Sequence, residues 1–160
     1  MAARSNALIW LLLSVVLLAL DQISKAWAVH ALQDGSQAVI PGLLNWTLAY
    51  NPGAAFSFLA GSAGWQRWLF VALAVGICGF LLRWLWRTPR QDWRTAMPLA
   101  LIIGGAVGNA IDRLHGSVVV DFIHVHYRDW NYPIFNVADC GITVGAVLLL
   151  LFGLRTKPAA

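Results

Sequence analysis

Long unbroken apolar runs, rather than alternating ones, dominate the chain. Four of them, at 8–29, 68–86, 95–111 and 137–154, approach the roughly 20 residues that a helix needs to cross about 30 Å of hydrocarbon. The third runs on as a helix to 113. The connection between the second and third, 87–94, is short, and the other two, about 30–66 and 114–136, are long and differently patterned. In the first of these Trp46, Leu48 and Tyr50 alternate with Asn45, Thr47 and Ala49, which predicts a strand. A polar turn at Asp34-Gly35-Ser36 and a break at Pro41-Gly42 precede it, and Asn51-Pro52-Gly53 ends it in a turn. The segment 54–59 is short and apolar and reads as an amphipathic surface segment. In the second connection, 118–127 is rich in β-branched residues and strand-like, with Pro133 interrupting it. Isolated strands are not stable alone. Two strands on one side of a membrane therefore predict a small sheet over the bundle mouth, a cap able to hold an extended peptide. The expectation is a membrane all-α bundle of four transmembrane helices with a small sheet, forming one integral membrane domain over 1–160.

Composition agrees with this and excludes a soluble domain: the chain is 59% hydrophobic and 11% charged, where soluble domains average about 25% charged. Charge adds an orientation. Arg4, Arg83, Arg87, Arg90, Arg94, Arg155 and Lys157 fall on the termini and the 87–94 connection, and by the positive-inside rule that side is cytoplasmic. All acids except Asp92 lie at or near the other face. The net charge of +4 is thus a topology signal and gives little support to nucleic-acid binding. A rival reading of the N-terminus is a secretory signal peptide, with Arg4, an apolar run 8–20 and small Ser24 and Ala26 at cleavage spacing. Apolar periodicity continuing through Ile23, Trp27 and Val29 favours an uncleaved helix, and the mass of the mature N-terminus would decide. Cys78 and Cys140 form no CxxC pair and read as small buried fillers.

Charged groups inside a span are expensive and are functional candidates by default. Asp21 and Lys25 are four apart and can form an intrahelical ion pair. Gly104 and Gly108, one turn apart, offer a face for close helix approach. Asn109, Asp112 and Arg113 put an amide, a carboxylate and a guanidinium on one stripe that helix packing explains poorly. Asn136 stands where an N-cap belongs, with Asp139 at the third helical position, so capping is one role open to both. Asp121 is a carboxylate in an otherwise apolar strand. Should that strand return the chain to the bundle mouth, Asp121 and Asp139 can meet. Two carboxylates sharing a proton supply one acid and one base, the pair needed to activate water against a peptide carbonyl. His124 and His126 share a strand face near His115 and could ligate zinc with an aspartate, although no HExxH helix is present. They read more economically as interfacial loop residues.

Five blocks in one order resemble the lipoprotein signal peptidase family, also called signal peptidase II. They are Asp21-Gln22-Ile23-Ser24-Lys25, Asn51-Pro52-Gly53-Ala54-Ala55-Phe56, the run from Gly104 to Arg113, Val119-Val120-Asp121-Phe122-Ile123, and Phe135-Asn136-Val137-Ala138-Asp139. The resemblance implies an aspartic endopeptidase of the bacterial inner membrane. It would have four transmembrane helices, cytoplasmic termini and a periplasmic β-cradle. It further implies cleavage of diacylglyceryl-modified prolipoproteins just before the lipidated cysteine, with no metal or other cofactor, among membrane lipids, and inhibition by the cyclic peptide globomycin. Motif by motif, Asp121 and Asp139 take the catalytic positions and Asn51, Asn109, Arg113 and Asn136 the substrate-binding ones. Asp21, Lys25, Asp112, Gly53 and Gly108 look supporting.

Rival functions leave different marks. A proton-coupled carrier needs a polar path through the bundle, yet the acids cluster at one face and only Ser14 and Thr143 lie deeper. A lipoprotein-binding chaperone would keep binding its substrate without either aspartate and would cut nothing. A zinc protease would be silenced by chelation.

Overall fold

The computed structural model describes residues 6–53 and 65–155. The 54–59 segment, Phe56 of the second block, and Arg4 and Lys157 of the charge map lie outside the described residues. Among the described residues, four helices are long and apolar enough to span a membrane. They are α1 (Leu11–Ala31), α2 (Trp65–Arg87), α3 (Trp93–Gly116) and α4 (Val137–Arg155). A 3-10 turn, Ala7–Trp10, leads into α1 and is capped by the Asn6 side chain, which accepts from Leu8 N at 3.3 Å. Asp92 caps α3 by accepting from Thr95 N at 3.2 Å, and Ser117, in the left-handed region at φ 66°, ends it.

Helix α3 is the centre of the bundle, packing against α1, α2 and α4. It buries 44% of its most apolar window, against 22% for the first span and 17% for each of the other two. Glycine makes this centrality possible, because without side chains the backbones can approach closely. The face expected at Gly104 and Gly108 receives α1. A Cβ on Gly104 would meet Ser14 O at 2.8 Å and one on Gly108 would meet Asp21 Oδ2 at 2.6 Å. Where α2 meets α3, an apolar cluster of Ala7, Leu81, Leu85, Ala96, Leu99 and Ile103 fills the bundle. Asn6 bridges to Pro89 at that end, which sets the start of the 3-10 turn beside the α2–α3 connection.

The opposite end carries a four-stranded antiparallel sheet in the order β1-β2-β3-β4. Strands β2 (Leu44–Asn51) and β3 (Val119–Tyr127) occupy the two regions expected from the pattern. The two short edge strands, β1 (Gln37–Ile40) and β4 (Trp130–Asn131), were not anticipated: every residue in them is exposed, so neither carries an apolar alternation. A bulge on β2 between Trp46 and Ala49 shifts the register against β3, from Trp46 opposite Ile123 to Ala49 opposite Asp121. Such bulges re-aim side chains locally. The sheet rests on α1 through three aromatic rings. Trp27 packs edge-on to Trp46 at 5.9 Å and to Phe122 at 6.2 Å, and below them lie Ala28 and Leu32. Beyond β4 the chain returns past Pro133 to pair Phe135 with Ile123, through Ile123 N to Phe135 O at 2.8 Å and Phe135 N to Ile123 O at 3.1 Å. That bridge sets the start of α4 beside the middle of β3.

Candidate active site

Asp121 is carried by β3 and is 2% exposed. Asn51, two residues beyond the Ala49 that faces Asp121, lies on the same side of the sheet, since strand side chains alternate. Its Nδ2 donates to Asp121 Oδ2 at 2.9 Å. The Asn51 side-chain Oδ1 accepts from Gly53 N at 2.9 Å, closing the turn that ends β2. Gly53 holds φ 106°, and a Cβ there would strike the Phe70 ring at 2.6 Å. Only glycine suits both the backbone conformation and the contact.

Asp139 arrives from α4. Its backbone N–H donates to Asn136 Oδ1 at 2.9 Å and its Oδ2 accepts from Asn136 N at 3.3 Å. This reciprocal pattern is a capping box, so the two residues do cap the helix. Capping leaves the Asn136 amide nitrogen free for other work. It donates to Asp121 Oδ1 at 2.7 Å, to Asn109 Oδ1 at 3.1 Å and to Val120 O at 3.3 Å. Asn109, on α3, donates to Asp139 Oδ1 at 2.8 Å. One fully buried asparagine, Asn136, therefore touches both carboxylates.

Behind them lies a second set of charges, contributed by α1 and α3. Lys25 Nζ is 2.8 Å from Asp21 Oδ2 and 2.8 Å from Asp112 Oδ2, and donates to Asn109 Oδ1 at 3.0 Å. The ammonium thus uses all three donors. The expected intrahelical pair of Asp21 and Lys25 exists, but within a larger cluster. Gln22 belongs to it as well, its Nε2 lying 3.1 Å from Asp21 Oδ2 and 3.0 Å from Asp112 Oδ1. Sequence reasoning passed over Gln22 because a position next to Asp21 on a helix does not share its face. The only signal was its place inside a quoted block.

Arg113, expected among the substrate-binding residues, is held by a backbone oxygen and an aromatic ring. Its Nη1 donates to the backbone oxygen of Asn109 at 3.2 Å, and its guanidinium carbon stands 4.7 Å over the Phe70 ring. It is still near enough to feel the charges of Asp139, Asp112 and Asp121. His124 and His126, even-numbered against odd-numbered Asp121, project from the other face of β3. Their rings are 5.2 Å apart and His124 Nε2 lies 3.1 Å from Asn131 Oδ1. Among the described residues no three His, Cys, Asp or Glu side chains converge as a metal-ligand set.

Burial pushes the Asp121 carboxyl up to about 6, a rise opposed by the Asn51 hydrogen bond and reinforced by the Asp139 charge. A carboxyl in this range can hold or release a proton near neutrality. With a second carboxylate joined to it through Asn136, the arrangement is chemically suited to general acid and base work on a bound carbonyl.

Known proteins place this arrangement. Residues 13–155 match the family model described as signal peptidase (SPase) II. A lipoprotein signal peptidase of Xylella fastidiosa (strain M12) is 54% identical over 158 residues, covering 96% of this chain and 94% of the relative. One of Xanthomonas campestris pv. campestris (strain 8004) is 55% identical over 157 residues, with the same two coverages. A solved bacterial membrane enzyme superposes with a TM-score of 0.80 at 28% identity, over 99% of this chain and 98% of its own. With the full-length match, the four span-capable helices and the paired carboxylates in hand, the chain belongs to the signal peptidase II family of aspartic membrane proteases.

Proposed function

We propose that this protease removes signal peptides from prolipoproteins that already carry diacylglycerol, cutting just before the lipidated cysteine at the outer face of the bacterial inner membrane. Asp121 and Asp139 are the catalytic pair. The observation that carries the reading is the single Asn136 side chain and backbone N–H that hold one oxygen of each carboxylate. One aspartate, ionised, takes a proton from the attacking water. The other, protonated, donates a hydrogen bond to the scissile carbonyl oxygen and polarises it. Asn51, Asn109, Asn136 and the stacked Arg113 supply N–H groups around the developing oxyanion and the substrate backbone. The sheet end holds the peptide in extended form, while the acyl chains remain among the helices in the bilayer. The excess of arginine near the α2–α3 turn supports cytoplasmic termini, with the sheet on the periplasmic side.

The test is cleavage of a diacylglyceryl-modified prolipoprotein in detergent, with a chelator throughout, by wild type, Asp121→Asn and Asp139→Asn. Wild type is expected to cut before the modified cysteine and to be inhibited by globomycin. Each variant should bind and lose activity by about 10²- to 10⁴-fold, the range for a positioned acid or base. A folded variant of either aspartate that cuts near the wild-type rate would sink the dyad.

A further inference from the structure

Asp21, Gln22, Lys25 and Asp112 form a polar grouping that the chemistry above does not use. Each of its two carboxylates reaches outside the cluster for one further bond. Asp112 Oδ2 accepts from Val120 N at 3.2 Å, and Asp21 Oδ1 accepts from Ala138 N at 2.9 Å. Val120 immediately precedes Asp121, and Ala138 immediately precedes Asp139. The two supporting carboxylates, one on α1 and one on α3, therefore each hold the backbone N–H of the residue that precedes one member of the pair.

They are also clamped to each other by two bridging side chains. Lys25 bridges them at 2.8 Å to each, and Gln22 Nε2 bridges them at 3.1 and 3.0 Å. Lys25 turns the Asn109 amide as well: its bond to Asn109 Oδ1 leaves Nδ2 pointing at Asp139. Val120 is gripped at both backbone atoms, giving its N–H to Asp112 and its carbonyl to Asn136. Strand β4 reaches only His126 and Tyr127, so side chains from α3 and the α4 cap take over that edge of β3 beside Asp121.

Stability alone is a poor account of this cluster. Asp21 and Lys25, 0% and 3% exposed, already neutralise each other within α1. Adding Asp112 brings a second negative charge into a desolvated place, and buried ion clusters commonly cost more than apolar packing would. What the extra charge gains is a fixed reference for β3 relative to α1 and α4.

We propose that Asp21, Gln22, Lys25 and Asp112 act as one positioning unit. It sets the spacing and mutual angle of Asp121 and Asp139 through the amides of Val120 and Ala138, with Gln22 as a second bridge between the two carboxylates beside Lys25. This rests on the reading of Asp121 and Asp139 as the catalytic pair. The unit touches neither reacting atom, so its loss should appear in kcat and not in substrate affinity. A misplacement of about 1 Å can cost on the order of 10²-fold in rate. The charged groups around the pair are Asp21 and Lys25 from α1 and Asp112 and Arg113 from α3. Changed spacing also alters how strongly the two carboxylates influence each other's protonation.

The deciding experiment measures kcat and KM for a diacylglyceryl-modified prolipoprotein from pH 5 to 9, with the thermal midpoint, for the full chain in detergent. Gln22→Leu keeps bulk and adds no charge. It is expected to lower kcat about tenfold, keep KM within about twofold and displace the pH limb of kcat. Asp112→Asn should do the same more strongly; should it fail to fold, Gln22→Leu decides alone. An unchanged kcat and pH profile in Gln22→Leu overturns the proposal. So does a fall in kcat that only tracks the fraction of folded enzyme, with the wild-type pH profile kept. Asp121→Asn is run alongside: if it still cuts, the catalytic pair itself is wrong, whereas an inactive Asp121→Asn beside a wild-type-like Gln22→Leu condemns only the positioning unit.

Discussion

At the end of the bundle away from the sheet, helices meet through alanine, leucine and isoleucine: Ala7, Leu81, Leu85, Ala96, Leu99 and Ile103 pack together. At the sheet end, α1, α3 and α4 meet through Asp21, Lys25, Asn109, Asp112, Asn136 and Asp139. The first interface is tolerant in kind, because in lipid any apolar side chains of suitable shape give van der Waals packing. The second is not, since each donor has a named acceptor and loss of one partner strands the other away from water. On the proposed assignment of the catalytic pair, robustness and chemistry are housed at opposite ends of the same helices.

The largest effect that would sharpen this contrast comes from Lys25→Met, which strands two buried carboxylates. It should destabilise by about 3–5 kcal/mol and abolish cleavage, read by thermal unfolding in detergent and by product formation. Gly108→Ala, whose Cβ would press on Asp21 Oδ2, should cost about 1–3 kcal/mol and lower kcat even in the folded fraction. Leu99→Ala at the other end, fully buried, should cost about 2 kcal/mol through its cavity while kcat per folded enzyme stays at the wild-type value. A lowered kcat there would break the separation of the two ends. The smallest effect concerns pH. Ionised Asp121 is favoured by the Asn51 hydrogen bond, so Asn51→Leu removes a donor from the charged form and Asp121 should release its proton at a higher pH. The limb of the kcat/KM profile near pH 6 should move upward, and a downward move would contradict the assignment.

The helices were legible because a run of about 20 apolar residues has few other structures open to it. Strands β2 and β3 were legible from alternation and β-branching, whereas the wholly exposed β1 and the two-residue β4 carry no periodic signal. The bulge between Trp46 and Ala49 could not be read at all, since register depends on the partner strand. At the site, a lone carboxylate in the apolar 118–123 strand and a polar stripe closing α3 stood out against their surroundings. Gln22 did not, because a polar residue next to a charged one on a helix is unremarkable until its distant acceptors on α3 are known. Arg113 was conspicuous for its charge, but the aromatic ring it stacks on comes from α2, a relation that spacing cannot express.

The Asp21–Lys25 pair has a consequence for biosynthesis. Translation delivers α1 before α3 and α4, and this helix carries its own counter-ion one turn away, so it can enter a bilayer without waiting for either of them to offset its charge. Asp21 Oδ1 nevertheless has no acceptor duty to perform until Ala138 arrives with the last helix, and Asp139 comes with the same segment. A nascent chain lacking its fourth span would therefore hold Asp121 without its counterpart. On the proposed assignment of the pair, the protease should remain silent during insertion until the helix carrying Asp139 docks.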